Sequence, residues 1–89
     1  MLYTPEEIAH FLVQTYGNAP RGLVIHRDVF EKHAQRYGID HNLVRSVDLE
    51  LRPMGYVLVD LLKEQECVVL MHIKTYIETL MHEDMQRAV

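Results

Sequence analysis

The stretch from Phe30 to Leu49, FEKHAQRYGIDHNLVRSVDL, constrains this chain more than any other. It reads as a helix, a glycine turn and a second helix. Ala34 is small enough to sit where two helices cross, and Gly38 can take the left-handed backbone that a side chain resists. Asp40 suits the N-cap of the following helix, because its carboxylate can accept an amide proton the helix leaves unsatisfied. Ile39, Val44 and Val47 fall where apolar contacts lock the pair together. Leu43, Val44, Val47, Leu51 and Met54 continue the buried stripe at helical spacing. Pro53 is tolerable only where that helix frays. Val47, Leu49 and Leu51 also alternate with Asp48, Glu50 and Arg52, as a half-buried strand would. The Gly38 turn and the Val44/Val47 pair favour the helix.

The flanking segments are organised around this unit. Thr4-Pro5-Glu6-Glu7 is a capping box with proline at the first helical position, and Tyr3 and Ile8 occupy the two positions of a hydrophobic staple. Ile8, Phe11, Leu12 and Tyr16 form the stripe of this first helix, which Gly17 stops. Asn18-Ala19-Pro20-Arg21-Gly22 is a loop by composition. Leu23-Val24-Ile25 is a β-branched-rich run too short to stand alone. Arg27 to Tyr37 is the second helix, with Val29, Phe30, Ala34 and Tyr37 on one face and Gly38 as its left-handed C′ residue.

Tyr56 to Leu62 and Cys67 to Ile73 are strand-like runs around Lys63-Glu64-Gln65-Glu66. With Leu62 opposite Cys67, one face holds Tyr56, Leu58, Asp60, Leu62, Cys67, Val69, Met71 and Ile73. The other holds Val57, Val59, Leu61, Val68, Leu70 and His72. Both faces are largely apolar, whereas a surface hairpin usually shows one polar face. Something must cover the second. The last helix, about Lys74 to Ala88, carries Ile77, Leu80, Met81, Met85 and Ala88 as an amphipathic stripe and is a candidate cover, in cis or against a second copy.

These residue types at these offsets resemble the helix-turn-helix unit, and Tyr56 to Ile73 looks like the β-hairpin wing that often follows it. The resemblance is to the winged helix-turn-helix superfamily at the level of fold, over most of the chain. It implies an α+β fold: a three-helix core, a small antiparallel sheet in which residues 23–25 pair with the wing, and an extra C-terminal helix. Residues 1–89 are then one domain, with 1–72 as its core. By likeness to small winged-helix regulators, residues 73–89 dimerise through Ile77, Leu80, Met81 and Met85.

The resemblance also implies that the third helix enters the major groove of double-stranded DNA. His41, Asn42, Arg45 and Ser46 lie off its buried stripe. Arg45 can pair bidentately with guanine and Asn42 with adenine, while Arg27, Arg36, Arg52, Lys63 and Lys74 suit phosphates. The expected function is a sequence-specific, transcription-factor-like DNA-binding regulator acting as a homodimer. The alternative is a winged-helix interaction module within a larger complex, without DNA.

Charge decides how far each reading is favoured. The net charge of −4 argues against tight non-specific nucleic-acid binding, though not against a local basic strip. From His26 to Arg52, Arg27, Lys32, Arg36, Arg45 and Arg52 are balanced by Asp28, Glu31, Asp40, Asp48 and Glu50. The wing tip sets Lys63 against Glu64 and Glu66. This acidity matches the alternative.

With 89 residues, 48% of them apolar, the chain suits one folded domain. Cys67 is the only cysteine, so neither an intrachain disulfide nor a multi-cysteine zinc site can form. The histidines form no i, i+4 pair and no HExxH, and no glycine-rich phosphate loop is present. The expectation is therefore a non-enzyme without metal or cofactor. MLYTPEEIAH lacks the features of a signal peptide, and the longest apolar run, Cys67 to Met71, is far short of a membrane span. A cytoplasmic protein is expected.

Overall fold

The computed structural model of the protein describes residues 3–18, 22–36 and 38–87, with side chains up to residue 82. In chain order the elements are α1 (Pro5–Tyr16), β1 (Leu23–His26), α2 (Arg27–Ala34), α3 (His41–Leu51), β2 (Tyr56–Leu61), the single turn α4 (Leu62–Gln65), β3 (Cys67–His72) and α5 (Ile73–Arg87). The strands form an antiparallel sheet in the order β1-β3-β2, and the fold is α+β.

The capping box at the head of α1 is complete. Thr4 Oγ1 accepts the Glu7 N–H at 3.2 Å, and Glu7 Oε1 accepts the Thr4 N–H at 3.0 Å. Ile8, Ala9 and Leu12 are buried, but Phe11, assigned to the same stripe by its spacing, stays 40% exposed. At the end of α1, the Tyr56 hydroxyl donates to Gly17 O at 2.8 Å. A Cβ on Gly17 would lie 3.1 Å from that hydroxyl and 2.4 Å from Val13 O, so the close approach itself requires glycine.

Helix α2 ends at Ala34, short of the expected Tyr37, and Tyr37 itself lies outside the described residues. Gln35, not Gly38, is its left-handed terminal residue, at φ 56°. The reason is local hydrogen bonding: the Gln35 N–H reaches Lys32 O at 3.2 Å and the Arg36 N–H reaches Glu31 O at 3.1 Å. This Schellman arrangement satisfies two carbonyls that the helix end would leave open. Gly38 is also left-handed, at φ 73°, within the turn leading to α3.

Residues 41–51 are helical, so the strand alternative for 47–52 is overturned. Pro53 falls in a 3-10 turn over Arg52–Met54, which Gly55 closes at φ 88°. The most extensive packing between the long helices is that of α1 on α3, while α2 packs chiefly on β1 and β3. Ala34 is fully buried, yet the tight crossing expected between α2 and α3 is replaced by α1 on α3. Phe30, Leu12, Leu51, Val44 and Val47 fill the centre with Ile25, Leu58, Val68 and Leu70 from the sheet. Close-packed burial of this kind is the main stabilising term in a domain this small.

The hairpin register differs by one residue from the expected pairing. Leu61, not Leu62, faces Cys67, and Val59 faces Val69. Leu62 turns inward as the first residue of α4 and is buried in the core. Glu66 at φ 53° absorbs the extra connecting residue. Because side chains alternate along a strand, the shift moves every β3 residue to the opposite face. The inner face carries Leu23, Ile25, Leu58, Val68 and Leu70. The outer face carries Val24, Val57, Val59, Leu61, Cys67, Val69 and Met71, with His26 at one edge.

The hairpin tip does not stand free, since the Arg27 N–H donates to Glu66 O at 2.9 Å. At the other end, α5 follows β3 without a linker, and the Ile73 N–H reaches Gly55 O at 3.0 Å. Helix α5 comes close chiefly to the two strands of the hairpin it follows. Overall extents are 50 × 26 × 19 Å.

Candidate nucleic-acid and partner interfaces

Helix α3 is fastened along its length. At its start, Asp40 Oδ1 accepts the Leu43 N–H at 2.9 Å, and Arg27 Nη2 donates to Ile39 O at 3.1 Å. His41 Nδ1 is hydrogen-bonded to Asp60 Oδ2, and Asp60 Oδ1 accepts the Leu62 N–H at 3.0 Å. Farther along, Asp48 Oδ1 accepts the Leu58 N–H at 2.9 Å, while its Oδ2 accepts Arg52 Nε at 3.1 Å and Nη2 at 2.9 Å. The helix is thus pinned to the outer edge of β2 by two aspartates. Leu43, Val44, Val47 and Leu51 are buried beneath it, and His41, Asn42, Arg45, Ser46, Leu49 and Glu50 remain exposed above.

The residues expected to meet DNA divide into two groups. Asn42 and Arg45 project from α3, and Ser46 Oγ donates to Asn42 O at 2.9 Å. Lys63 is exposed on α4. None of the ion pairs among the described residues involves Arg45, Lys63 or Lys74. The other cations already have internal work. Arg27 lies 3.9 Å from Glu31 besides holding Ile39 O, Arg36 Nη2 donates to Tyr3 O at 3.0 Å, and Arg52 is held by Asp48. His41 is committed to Asp60 but keeps an exposed ring.

Asp48, counted above only among the acids that offset the cations of residues 26–52, and Asp60, placed only on a hairpin face, both carry structural roles. A signal was present for Asp60, since aspartate is disfavoured inside a strand as apolar as YVLVDL. For Asp48 the i, i+4 spacing to Arg52 was readable, but its bond to Leu58 was not.

Of the residues expected at a dimer or partner interface, Ile77, Leu80 and Met81 are exposed on α5. The side chain of Met85, and Ala88 altogether, lie outside the described residues. Among the described residues no helix is long and apolar enough to cross a membrane.

A separate groove of about 470 Å³ runs between α1 and the end of α2, with Tyr3, His10, Phe11, Lys32 and His33 on its walls. The His33 ring lies 4.8 Å from that of Phe11, and its Nε2 is 2.7 Å from the Tyr16 hydroxyl. Burial holds its pKa below the ordinary histidine value.

Compared with known protein families, curated proteins and solved structures, the chain matches none of them.

Proposed function

We propose that the chain is a winged helix-turn-helix protein that binds double-stranded DNA as a homodimer, with α3 as the helix that reads bases. The element order and the β1-β3-β2 sheet support the fold reading. The observation that carries the functional reading is the outer row of α3. His41, Asn42, Arg45 and Ser46 all face solvent on a helix that is joined to β2 through His41–Asp60 and Asp48–Leu58, and whose approach is held by Arg27 on Ile39 O. A pre-fixed helix loses little entropy on docking, and the arginine and amide of this row match guanine and adenine edges. Lys63 and Lys74 then serve as phosphate contacts.

A gel-shift titration against mixed-sequence duplex DNA at low and moderate salt tests this. Binding that weakens steeply as salt rises is the expected result, because phosphate contacts release counterions. Absence of any shift at the lowest salt overturns the DNA half of the reading.

One observation favours a second reading, an interaction module without DNA. Arg27, Arg36 and Arg52 are spent internally, and the tip cation Lys63 is flanked by Glu64 and Glu66. A protein that ignores DNA at every salt and co-purifies with a protein partner belongs to this class.

A further inference from the structure

Tyr3 and Phe11 are large aromatic side chains, 44% and 40% exposed, and neither belongs to the core cluster. Both line the groove of about 470 Å³ between α1 and the end of α2. Aromatic surface that the core does not use is thus gathered in one concave place, the usual setting of a small-ligand site. The walls are also fastened together. The Arg36 Nη2 bond to Tyr3 O ties the segment before α1 to the turn after α2, and the Tyr16–His33 bond ties the last residue of α1 to α2. The His33 ring sits 4.8 Å from that of Phe11 at an interplanar angle of 48°, so the pair forms one aromatic wall.

Charge selects the class of ligand. Besides His33, the groove is lined by the ionisable side chains of Glu6, Glu7, His10 and Lys32. The Glu7 carboxylate is taken by the Thr4 N–H, and Glu6 lies 4.0 Å from His10. None of the ion pairs among the described residues involves Lys32, which is exposed. Gln35 lines the groove beside it, on a left-handed backbone at φ 56°. Strained conformations of this kind gather at ligand clamps.

We propose that this groove binds a small aromatic carboxylate, with a flat ring system against Tyr3, Phe11 and His33 and the carboxylate held by Lys32 Nζ and the Gln35 amide. The proposal depends on neither reading of the function given above. The volume suits one such molecule, since small-ligand pockets run from about 300 to 1,000 Å³, whereas a protein partner needs about 800 Å² on each side.

The test is a titration of the full chain, labelled with nitrogen-15 and followed by amide chemical shifts. The probes are 1-naphthoate, its neutral analogue 1-naphthamide and its saturated analogue decahydro-1-naphthoate. With about 13 non-hydrogen atoms at the ordinary efficiency of drug-sized ligands, 1-naphthoate should saturate with a Kd on the order of 1 mM. The shifts should cluster on residues 10–14 and 32–35. Each analogue should bind about threefold more weakly or worse, 1-naphthamide for want of the ion pair and the saturated acid for want of ring contacts. Lys32→Gln should erase the preference for carboxylate over amide, and Phe11→Ala should weaken 1-naphthoate by about threefold or more. Both positions are exposed, and the amide spectrum of each variant shows directly whether its fold is kept.

Absence of a saturable shift in the groove at about tenfold above that Kd overturns the site. Shifts scattered over the whole surface overturn it too, because they mean contact without a site. Equal binding of all three probes leaves a plain apolar cleft and overturns the ligand class. A carboxylate preference that survives Lys32→Gln overturns the assignment of the anion to Lys32. Groove amides that move on dilution of the protein alone mean that a second copy fills the groove, which also overturns the proposal.

Discussion

Asp48 Oδ1 accepts the backbone N–H of Leu58 at 2.9 Å, so a helix side chain stands where another strand would pair. Strand β2 is an edge of the sheet, and an open edge amide is a template for unwanted pairing. The same carboxylate holds Arg52, so one side chain fixes the packing of α3 on β2 and ties down the last turn of the helix. The exposed row of α3 owes its orientation to this inward bond.

Asp48 and Arg52 should separate sharply under mutation. Asp48 is 14% exposed, and Asp48→Ala strands a part-buried N–H, which costs about 1–3 kcal/mol. Arg52 is 51% exposed, and Arg52→Ala removes only a surface ion pair, worth up to about 1 kcal/mol. Urea unfolding midpoints measure both. Asp48→Asn, which keeps an acceptor for Leu58, should fall between them. Equal losses for Asp48→Ala and Arg52→Ala would mean that the ion pair, not the edge amide, carries the contribution.

Arg45 and Arg27 should divide function from stability. Arg45→Ala is expected to leave the unfolding midpoint within about 0.5 kcal/mol of wild type, as for an ordinary surface position. If α3 reads bases, the same variant loses about 1–3 kcal/mol of affinity for the cognate duplex. Arg27→Ala removes the bond to Ile39 O and should destabilise by about 1–2 kcal/mol. Paired urea titrations and gel shifts on both variants check the division. Unchanged affinity at low salt for Arg45→Ala would remove it from the reading role.

Gln35 pays for a backbone shape that glycine adopts freely. Its φ of 56° places a Cβ where left-handed geometry crowds it, by about 1 kcal/mol for most residues. Gln35→Gly is therefore expected to stabilise by about 0.5–1 kcal/mol, after allowing for glycine's looser unfolded chain. Gly38→Ala should do the reverse. A Cβ there meets nothing within 4 Å, so the loss reports backbone strain at φ 73° and not a clash. Thermal midpoints in opposite directions are the expected signature.

What could be read from the sequence was set by how near the partners lie along the chain. The Thr4/Glu7 capping box and the Asp40 cap close over three residues, and both formed as expected. The buried stripe of α3 needed only its own period. The register of β2 against β3 escaped because Leu62 fits either a strand or the core, and the core took it. Likewise, Arg36 reads as a free cation until Tyr3, 33 residues away, is brought beneath it. Asp60 and His41 are 19 residues apart and meet only once α3 is laid on β2. A basic residue's availability is thus a tertiary property, which is why the expected phosphate contacts divided as they did.

His33 supplies a pH dependence whose sign follows from its surroundings. Burial beside Phe11 and Tyr16 disfavours the charged ring and holds its folded-state pKa below the ordinary 6.5. Between the two values the unfolded chain binds a proton that the folded one does not, so stability rises with pH there. The contribution is complete above about 6.5 and is lost as pH falls through the folded-state value. Glu7 acts in a lower window. The Thr4 N–H and hydroxyl hold its carboxyl below the ordinary 4.5, so its share is present above 4.5 and lost on further acidification. Urea midpoints measured from pH 8 down to about pH 3 should therefore decline below about 6.5 and again below about 4.5. His33→Gln should flatten that first decline while leaving the one below 4.5 intact, and Glu7→Gln should do the converse. A first decline that survives His33→Gln would assign it to another of the histidines.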